Sequence, residues 1–170
     1  MSEHFFKIQG LAGEKKLQGE ISVGGAKNAA LKVMASALLF TDHVEITNIP
    51  EIEDVARIGE LLEGLGAKIE SSKNKRKIIL PEKLKTDLLH EPAQATRSSI
   101  VLTGPLLARM GRVSFPNPGG CNFGNRPIDL FLEGFRKMGA VIKEEGESYV
   151  ATAPNGLIGT EFFFKVQSHT

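Results

Sequence analysis

An internal repeat constrains the fold of this chain more than any other feature, because the sequence resembles itself at an offset of about 70 residues. Segment 58–69 matches segment 131–142, and in each copy apolar residues at helical spacing lead to a Gly-Ala pair and then to a strand pattern. The glycine of each pair stands where helices commonly end in a left-handed conformation. The repeat therefore predicts a stack of similar units that bury their apolar faces against one another.

Each copy is predicted to contain a helix, a strand, a second helix and two further strands. The first helix of each copy begins at Lys27 or Arg97 and runs to about Leu39 or Arg109, respectively. The predicted short strands cover residues 44–46, 77–81, 112–115 and 148–152. Alternation of helices and strands within such a unit indicates an α/β (α+β) fold of repeated strand-helix-strand-helix-strand-strand units.

The predicted units do not end neatly at the ends of the chain. An additional strand is predicted over 19–23, before the first helix, and residues 159–166 resemble the same opening strand of a third copy. This pattern predicts two full repeats, about 21–90 and 91–158, followed by the start of another. We expect the 170 residues to be the N-terminal portion of a larger assembly of units.

Composition excludes several functional classes. The formal net charge is +1, from 21 basic and 20 acidic residues, and tryptophan is absent, so neither nucleic acid nor a membrane is an expected partner. A single cysteine and four histidines predict no disulfide framework and no metal site. No signal-peptide pattern or long apolar run is present, so a cytoplasmic protein is expected. Nothing indicates a cofactor.

The single cysteine, Cys121, lies in a glycine-rich loop that extends from Pro118 to Leu130 and includes Arg126. A lone cysteine is most often small, buried and inert. However, a polar loop with a nearby cation is a setting that favours the reactive thiolate. The loop therefore shifts the interpretation of Cys121 toward a functional thiol.

Cations stand at three predicted helix starts, at Lys27, Arg97 and Arg126. The ends of helices with free N–H groups favour anions, and a basic residue there opposes the helix dipole unless a ligand is present. Each cation alone is more typical of a solvated or structural residue, but the recurrence in both copies indicates a polyanionic ligand such as a phosphate, diphosphate or carboxylate. Asp129 follows Arg126 by three positions, which fits equally a surface ion pair or an acceptor for ligand hydrogen bonds.

Several segments together resemble the enolpyruvyl transferases that act on UDP-N-acetylglucosamine in bacterial peptidoglycan synthesis. The matching segments are 25–30, 97–99, 104–109 and the cysteine loop 118–130, and the resemblance extends from about Lys7 to Val166. It implies two domains made of six similar units, arranged as an inside-out α/β barrel that is incomplete here. It also implies that residues 1–20 contribute a strand to a second, C-terminal domain and that 21–170 belong to the catalytic domain.

The resemblance also assigns roles to individual positions. Cys121 resembles the catalytic general acid and the target of fosfomycin. Lys27 and Asn28 resemble a pair that contacts phosphoenolpyruvate, and Arg97 resembles a residue shared by the phosphate and sugar-nucleotide regions. The segment that resembles the uridine nucleotide site comprises Arg126, Pro127, Ile128, Asp129 and Leu130.

The implied reaction transfers the enolpyruvyl group of phosphoenolpyruvate to the 3′-hydroxyl of UDP-N-acetylglucosamine and releases phosphate. It implies roles in cell wall biogenesis, cell shape and cell division. The family's aspartate base and several arginines lie in a C-terminal half beyond Thr170, so we expect that half as a partner and little turnover without it. Two alternatives stay open: a non-catalytic sugar-nucleotide-binding or assembly module, and the shikimate-pathway enolpyruvyl transferase.

Overall fold

The computed structural model of the chain describes residues 5–10, 13, 16–118 and 127–163 and contains two successive units of helices and strands. The first unit comprises α1 (Lys27–Ser36), β1 (His43–Ile46), α2 (Glu53–Gly64), β2 (Lys68–Ser72) and β3 (Lys75–Ile79). The second comprises α3 (His90–Ala95), α4 (Thr103–Met110), β4 (Arg112–Pro116), α5 (Asp129–Lys137), β5 (Val141–Glu145) and β6 (Ser148–Thr152). Short 3-10 helices follow α1 (Ala37–Leu39) and precede α4 (Arg97–Leu102).

The two sheets confirm the repeat. Each is antiparallel and three-stranded, with strand orders β1-β3-β2 and β4-β6-β5. Val44 pairs with Ile78 in the first sheet, and Val113 pairs with Ala151 at the equivalent place in the second. Within the described residues the sheets remain separate and do not close into a barrel.

The predicted helix ends are also confirmed. Gly66 and Gly139 follow α2 and α5 with φ angles of 106° and 93°, which is the left-handed region that favours glycine. The backbone N–H of each following alanine returns to the helix, to the carbonyl of Leu62 or Phe135. The matched Gly-Ala pairs of the sequence therefore end two equivalent helices.

The core lies where the helices meet each other and the inner faces of the two sheets. In α2 the buried positions Val55, Ile58, Leu61 and Leu62 follow helical spacing and form one apolar face. Helix α1 packs against α2 and the Arg97–Leu102 turn, so the helices of the two units share one continuous core. This packing brings the starts of helices from both units to neighbouring positions.

The predicted helix from Arg97 to about Arg109 is present in a modified form. Its first part, Arg97–Leu102, is a 3-10 helix, and α-helical geometry begins at Thr103. A continuous α-helix would need the nitrogen of Pro105 to donate to the carbonyl of Val101, and proline has no N–H to donate. Proline is tolerated within the first turn of α4, where that donor has no intrahelical partner.

The predicted strand over 19–23 is not formed, and the prediction was wrong for that segment. Residues 16–26 have no regular secondary structure, and Ile21 and Val23 are 91% and 86% exposed. The opening strand predicted over 159–166 is likewise absent as far as residue 163, and its remainder lies outside the described residues. A strand forms only when a neighbour accepts its hydrogen bonds, and no described segment pairs with either of these stretches.

Among the described residues, no helix combines the length and the apolar character needed to cross a membrane.

Candidate functional site

The start of α1 places Lys27 and Asn28 at an open helix end. The residue that precedes the helix is Ala26, which has no side chain to accept a hydrogen bond from the first N–H groups, and the first turn contains no acidic residue. Asn28 lies beside Lys27 on the exposed surface. The backbone N–H groups, which have no side-chain cap, and the adjacent ammonium of Lys27 make this helix end favourable for binding an anion.

The ammonium of Lys27 is bound by a carboxylate from the other helix of the same unit. The Nζ atom of Lys27 lies 2.5 Å from Oδ2 of Asp54, which is in the first turn of α2. The side chain of Lys27 is 52% exposed, whereas that of Asp54 is 29% exposed. The pair therefore lies at the edge of the core, with the lysine directed toward solvent.

A threonine of the second unit completes this group. The hydroxyl of Thr96 donates to Oδ1 of Asp54 at 2.7 Å, and the same hydroxyl oxygen accepts a hydrogen bond from the backbone N–H of Ser98 at 3.3 Å. Thr96 is 3% exposed and caps the start of the 3-10 helix that contains Arg97. Asp54 therefore connects the helix start at Lys27 with the helix start at Arg97.

These contacts lower the pKa of Asp54 below its ordinary value. The hydrogen bond from Lys27 is the main cause, burial opposes it, and the hydrogen bond from Thr96 and the charge of Lys27 lower the pKa further. The carboxylate is therefore charged at neutral pH, and its attraction for Lys27 is lost only as the pH falls through this lowered pKa.

Arg97 extends the group to a third helix start. Its Nη2 atom donates to the backbone carbonyl of Pro127 at 3.1 Å. Ile128 is buried, Asp129 is the first residue of α5 and is exposed, and Leu130 is half-buried. Packing of Ile128 therefore fixes the start of α5, while Arg97 holds the chain just before it.

The structure thus brings together most of the described site residues that the sequence predicted. Lys27 and Arg97 lie on neighbouring helix starts that are linked through Asp54 and Thr96. Residues 127–130 are connected to this group by the hydrogen bond from Arg97 to the carbonyl of Pro127. Cys121 and Arg126 lie outside the described residues.

Sequence reasoning missed Asp54 and Thr96. An acidic residue in the first turn of a helix is ordinarily explained by the helix dipole, and a threonine before a helix is ordinarily a cap. Thr96 is indeed a cap, but its second contact, to a carboxylate 42 positions earlier, depends on how the two units pack. The Lys27–Asp54 pair also joins two helices, so no local spacing reveals it.

Among the described residues, no group of three or more His, Cys, Asp or Glu side chains could hold a metal ion.

Comparison with solved structures defines the class of fold. The enolpyruvyl transferase NikO from Streptomyces tendae superposes with a TM-score of 0.69 at 20% sequence identity, over 86% of this chain and 32% of that one. At this identity the likeness establishes the fold, which is that of the enolpyruvyl transferases.

Sequence comparison then identifies the family. Residues 11–170 match the family model described as EPSP synthase (3-phosphoshikimate 1-carboxyvinyltransferase), and the chain belongs to this family.

Two curated relatives are more specific in name. A UDP-N-acetylglucosamine 1-carboxyvinyltransferase from Wolinella succinogenes is 40% identical over 155 residues, which cover 91% of this chain and 37% of the relative. A UDP-N-acetylglucosamine 1-carboxyvinyltransferase 2 from Carboxydothermus hydrogenoformans is 41% identical over 159 residues, which cover 93% and 38%, respectively. The chain therefore spans a little over a third of the length of these relatives.

Proposed function

We propose that this chain forms the N-terminal, substrate-binding part of a UDP-N-acetylglucosamine 1-carboxyvinyltransferase. The observation that carries the proposal is the 40% identity to a relative of that name over nearly the whole chain. The helix starts at Lys27 and Arg97 support it, because they form the kind of surface that receives phosphate and carboxylate groups.

In the proposed reaction, a proton is added to the methylene carbon of phosphoenolpyruvate, and Cys121 is the general acid that supplies it. The neighbouring carbon becomes oxocarbenium-like, and the 3′-hydroxyl of UDP-N-acetylglucosamine attacks it while the hydroxyl proton passes to the aspartate base of the C-terminal part. Phosphate then leaves, and loss of a proton from the methyl group restores the double bond. The cysteine can also add covalently to phosphoenolpyruvate.

The helix starts hold the substrates. Lys27 and Asn28 bind phosphoenolpyruvate, and Arg97 is shared by the phosphate and sugar-nucleotide regions. The positive charges of Lys27 and Arg97 stabilise the phosphate that departs. The uridine nucleotide occupies the start of α5 and the loop before it, at Arg126, Pro127, Ile128, Asp129 and Leu130. Fixing both substrates on helix ends of one core aligns the attacking hydroxyl with the reactive carbon.

The chain would act with the part that its relatives have beyond the matched region. That part supplies the aspartate base and further arginines in a two-domain enzyme, in which residues 1–20 belong to the second domain. The complete protein is cytoplasmic, is inhibited by fosfomycin and supports cell wall growth and division. We expect the 170 residues alone to show little or no turnover.

The second candidate is the shikimate-pathway enolpyruvyl transferase, which the description of the family model favours. The curated relatives argue against it, because the names that accompany identities of about 40% specify UDP-N-acetylglucosamine. A third candidate, a non-catalytic sugar-nucleotide-binding module, would keep the helix starts but would lack a functional thiol.

The test is an assay of the complete reading frame that includes this sequence. Phosphate release from phosphoenolpyruvate is measured with UDP-N-acetylglucosamine or shikimate 3-phosphate as acceptor. We expect release only with UDP-N-acetylglucosamine, and a loss of about 100-fold or more in Cys121→Ser, since general acid catalysis contributes at least that much.

Labelling of Cys121 by fosfomycin, followed by mass spectrometry, separates the remaining candidates. Acceleration by UDP-N-acetylglucosamine would support a formed site in which nucleotide and thiol are adjacent. Labelling at the rate of a free thiol would contradict catalysis and indicate a binding module, and phosphate release with shikimate 3-phosphate alone would assign the second candidate.

A further inference from the structure

Lys27 has a fixed carboxylate partner, although the proposed function requires its ammonium to bind an anion. A carboxylate beside an anion site repels the anionic ligand, so its presence there needs a compensating role. Asp54 lies in this position, on a different helix from Lys27, and both of its carboxylate oxygens are engaged.

We propose that Asp54, oriented by the hydroxyl of Thr96, is a positioning residue that holds the ammonium of Lys27 at the start of α1 for an anionic substrate group. This inference rests on the proposed function. It assigns to Asp54 and Thr96 a role in aligning Lys27, without contact between these two residues and the substrate.

The first argument is the rigidity of the carboxylate. Oδ2 of Asp54 faces Lys27 at 2.5 Å and Oδ1 accepts from Thr96 at 2.7 Å, so rotation of the carboxylate would break one of the two contacts. Thr96 is 3% exposed and is itself held by the backbone of the following turn through its bond with Ser98. The orientation of Asp54 is thus determined by a buried group of the second unit.

The second argument comes from the geometry of the lysine. A lysine side chain is a long, flexible stem with a compact charge, so an unheld ammonium samples many positions. An ammonium has three donors, and the bond to Asp54 uses one of them. Two donors remain for an anion, beside a helix start whose N–H groups have no side-chain cap.

A neighbouring ion pair on the same helix shows what an ordinary surface pair looks like here. Glu53 pairs with Arg57 at 3.3 Å, but the carboxylate of Glu53 is 80% exposed, compared with 29% for Asp54. Exposed pairs contribute little and fix little. Glu53 is also in the first turn of α2, so it provides a matched control for loss of a negative charge at that helix end.

The link also joins the two units. Thr96 directly precedes Arg97, and Arg97 donates to Pro127 before α5. The position of Lys27 in the first unit is therefore tied, through one carboxylate and one hydroxyl, to the turn that carries the cation of the second unit.

The first test measures the contact itself in the 170-residue chain, by NMR titration of the Asp54 carboxyl carbon. We expect a pKa below the ordinary range of aspartate, about 3.9. The pKa should rise in Lys27→Met and, by less, in Thr96→Val, because each variant removes a donor to the carboxylate. An ordinary pKa in the wild type, or no response to Lys27→Met, would overturn the proposal.

The second test measures steady-state kinetics of the complete reading frame. Asp54→Asn should lower kcat/KM for phosphoenolpyruvate by about 10- to 100-fold, since misplacement of a binding group by about 1 Å has effects of this size. Thr96→Val should give a smaller loss in the same direction, and Thr96→Ser, which keeps the hydroxyl, should recover most of it. The KM for UDP-N-acetylglucosamine should stay nearly constant.

Glu53→Gln serves as the control and should leave both substrates unaffected. Asp54→Asn with wild-type kcat/KM for phosphoenolpyruvate would overturn the proposal. So would losses of kcat/KM that are the same for the two substrates and the same in Thr96→Val and Thr96→Ser. If Asp54→Asn does not fold, the threonine pair still decides. A wild-type protein without transferase activity would instead contradict the proposed function, and the carboxyl titration would then decide whether Lys27, Asp54 and Thr96 form the link.

Discussion

Gly25 lies so close to the loop after β1 that the space admits no side chain. A Cβ at this position would lie 1.7 Å from the carbonyl oxygen of Asn48 and 3.1 Å from the ring of Pro50. Asn48 has a φ angle of 56°, in the left-handed region that asparagine tolerates better than most residues. The backbone approach between Gly25 and Asn48 therefore fixes where the chain enters α1, two residues before Lys27.

Gly25→Ala is expected to destabilise the fold by about 3 kcal/mol, because a backbone oxygen must move to admit the methyl group. Gly24→Ala is the matched control, since a Cβ at Gly24 meets no atom within 4 Å, and its effect should be below about 0.5 kcal/mol. Urea unfolding followed by circular dichroism measures both. Equal stabilities for the two variants would contradict the close approach.

The two glycines also show what the sequence reveals at this scale and what it does not. Both belong to one Gly-Gly pair, and nothing local distinguishes the glycine that contacts the 48–50 loop from its neighbour. Lys27 and Arg97 were found because both repeats place a cation at a helix start. Asp54 and Thr96 were not found, because their shared contact exists only once two units pack together.

At the scale of elements, Arg109 near the end of α4 ties the second unit to the first. Its guanidinium donates to four backbone carbonyls, those of Leu38, Phe40, Pro81 and Glu82, at distances from 2.6 to 3.3 Å. The first two carbonyls belong to the end of the α1 region, where no helical N–H is available to them. The other two belong to the segment after β3. One side chain of the second unit therefore holds two separate segments of the first unit, the one after α1 and the one after β3.

Arg109→Lys should cost about 1–3 kcal/mol, since an ammonium cannot reproduce the fork of donors and leaves some of these carbonyls without a partner. Arg112→Lys is a useful comparison, because Arg112 contacts the half-buried hydroxyl of Thr86 and the exposed carboxylate of Asp87, and an exposed ion pair contributes about 1 kcal/mol or less. Thermal unfolding would measure the difference. A smaller loss for Arg109→Lys than for Arg112→Lys would show that the four contacts do not stabilise the junction.

The elements themselves were largely predictable, and the exceptions have local causes. Strand 148–152 and the glycine-terminated helices follow directly from periodicity and helix-stop signals. The 3-10 start at Arg97–Leu102 was missed because the missing donor belongs to Pro105, eight residues further along. Helix α3 is only six residues long and contains Pro92, so propensity alone gave no signal for it.

At the scale of the whole molecule, the two units differ at one sheet edge. In the second unit, residues 86–88 run parallel to β4: the N–H of Leu88 donates to the carbonyl of Ser114, and the N–H of Ser114 donates to Thr86. In the first unit, no described segment pairs with the outer edge of β1. The strand predicted over 19–23 does not form because an alternating sequence pattern alone does not provide a paired neighbouring strand. The unpaired edge of β1 leaves backbone N–H and C=O groups with which another segment of chain can pair.

The segment before α1 extends this asymmetry. Its described large apolar side chains are more than 80% exposed, and the set comprises Phe5, Phe6, Ile8, Leu17, Ile21 and Val23. Side chains this exposed contribute little to the core, which the helices and sheets complete without them. Several large apolar side chains exposed along one segment favour association with other apolar surfaces.

Deletion of residues 1–23 should therefore leave cooperative unfolding intact, with a melting temperature changed by no more than about 2 °C, because little buried surface is lost. Binding of a hydrophobic dye and self-association, measured by light scattering, should both decrease. Ile58→Ala provides the opposite control: Ile58 is fully buried, and its truncation should cost about 2–5 kcal/mol. A drop in melting temperature on deletion comparable to that of Ile58→Ala would show that residues 1–23 pack on the two units in solution. An unchanged melting temperature would establish that the core of α1 to β6 is independent of them, and that their apolar side chains are free to pack elsewhere.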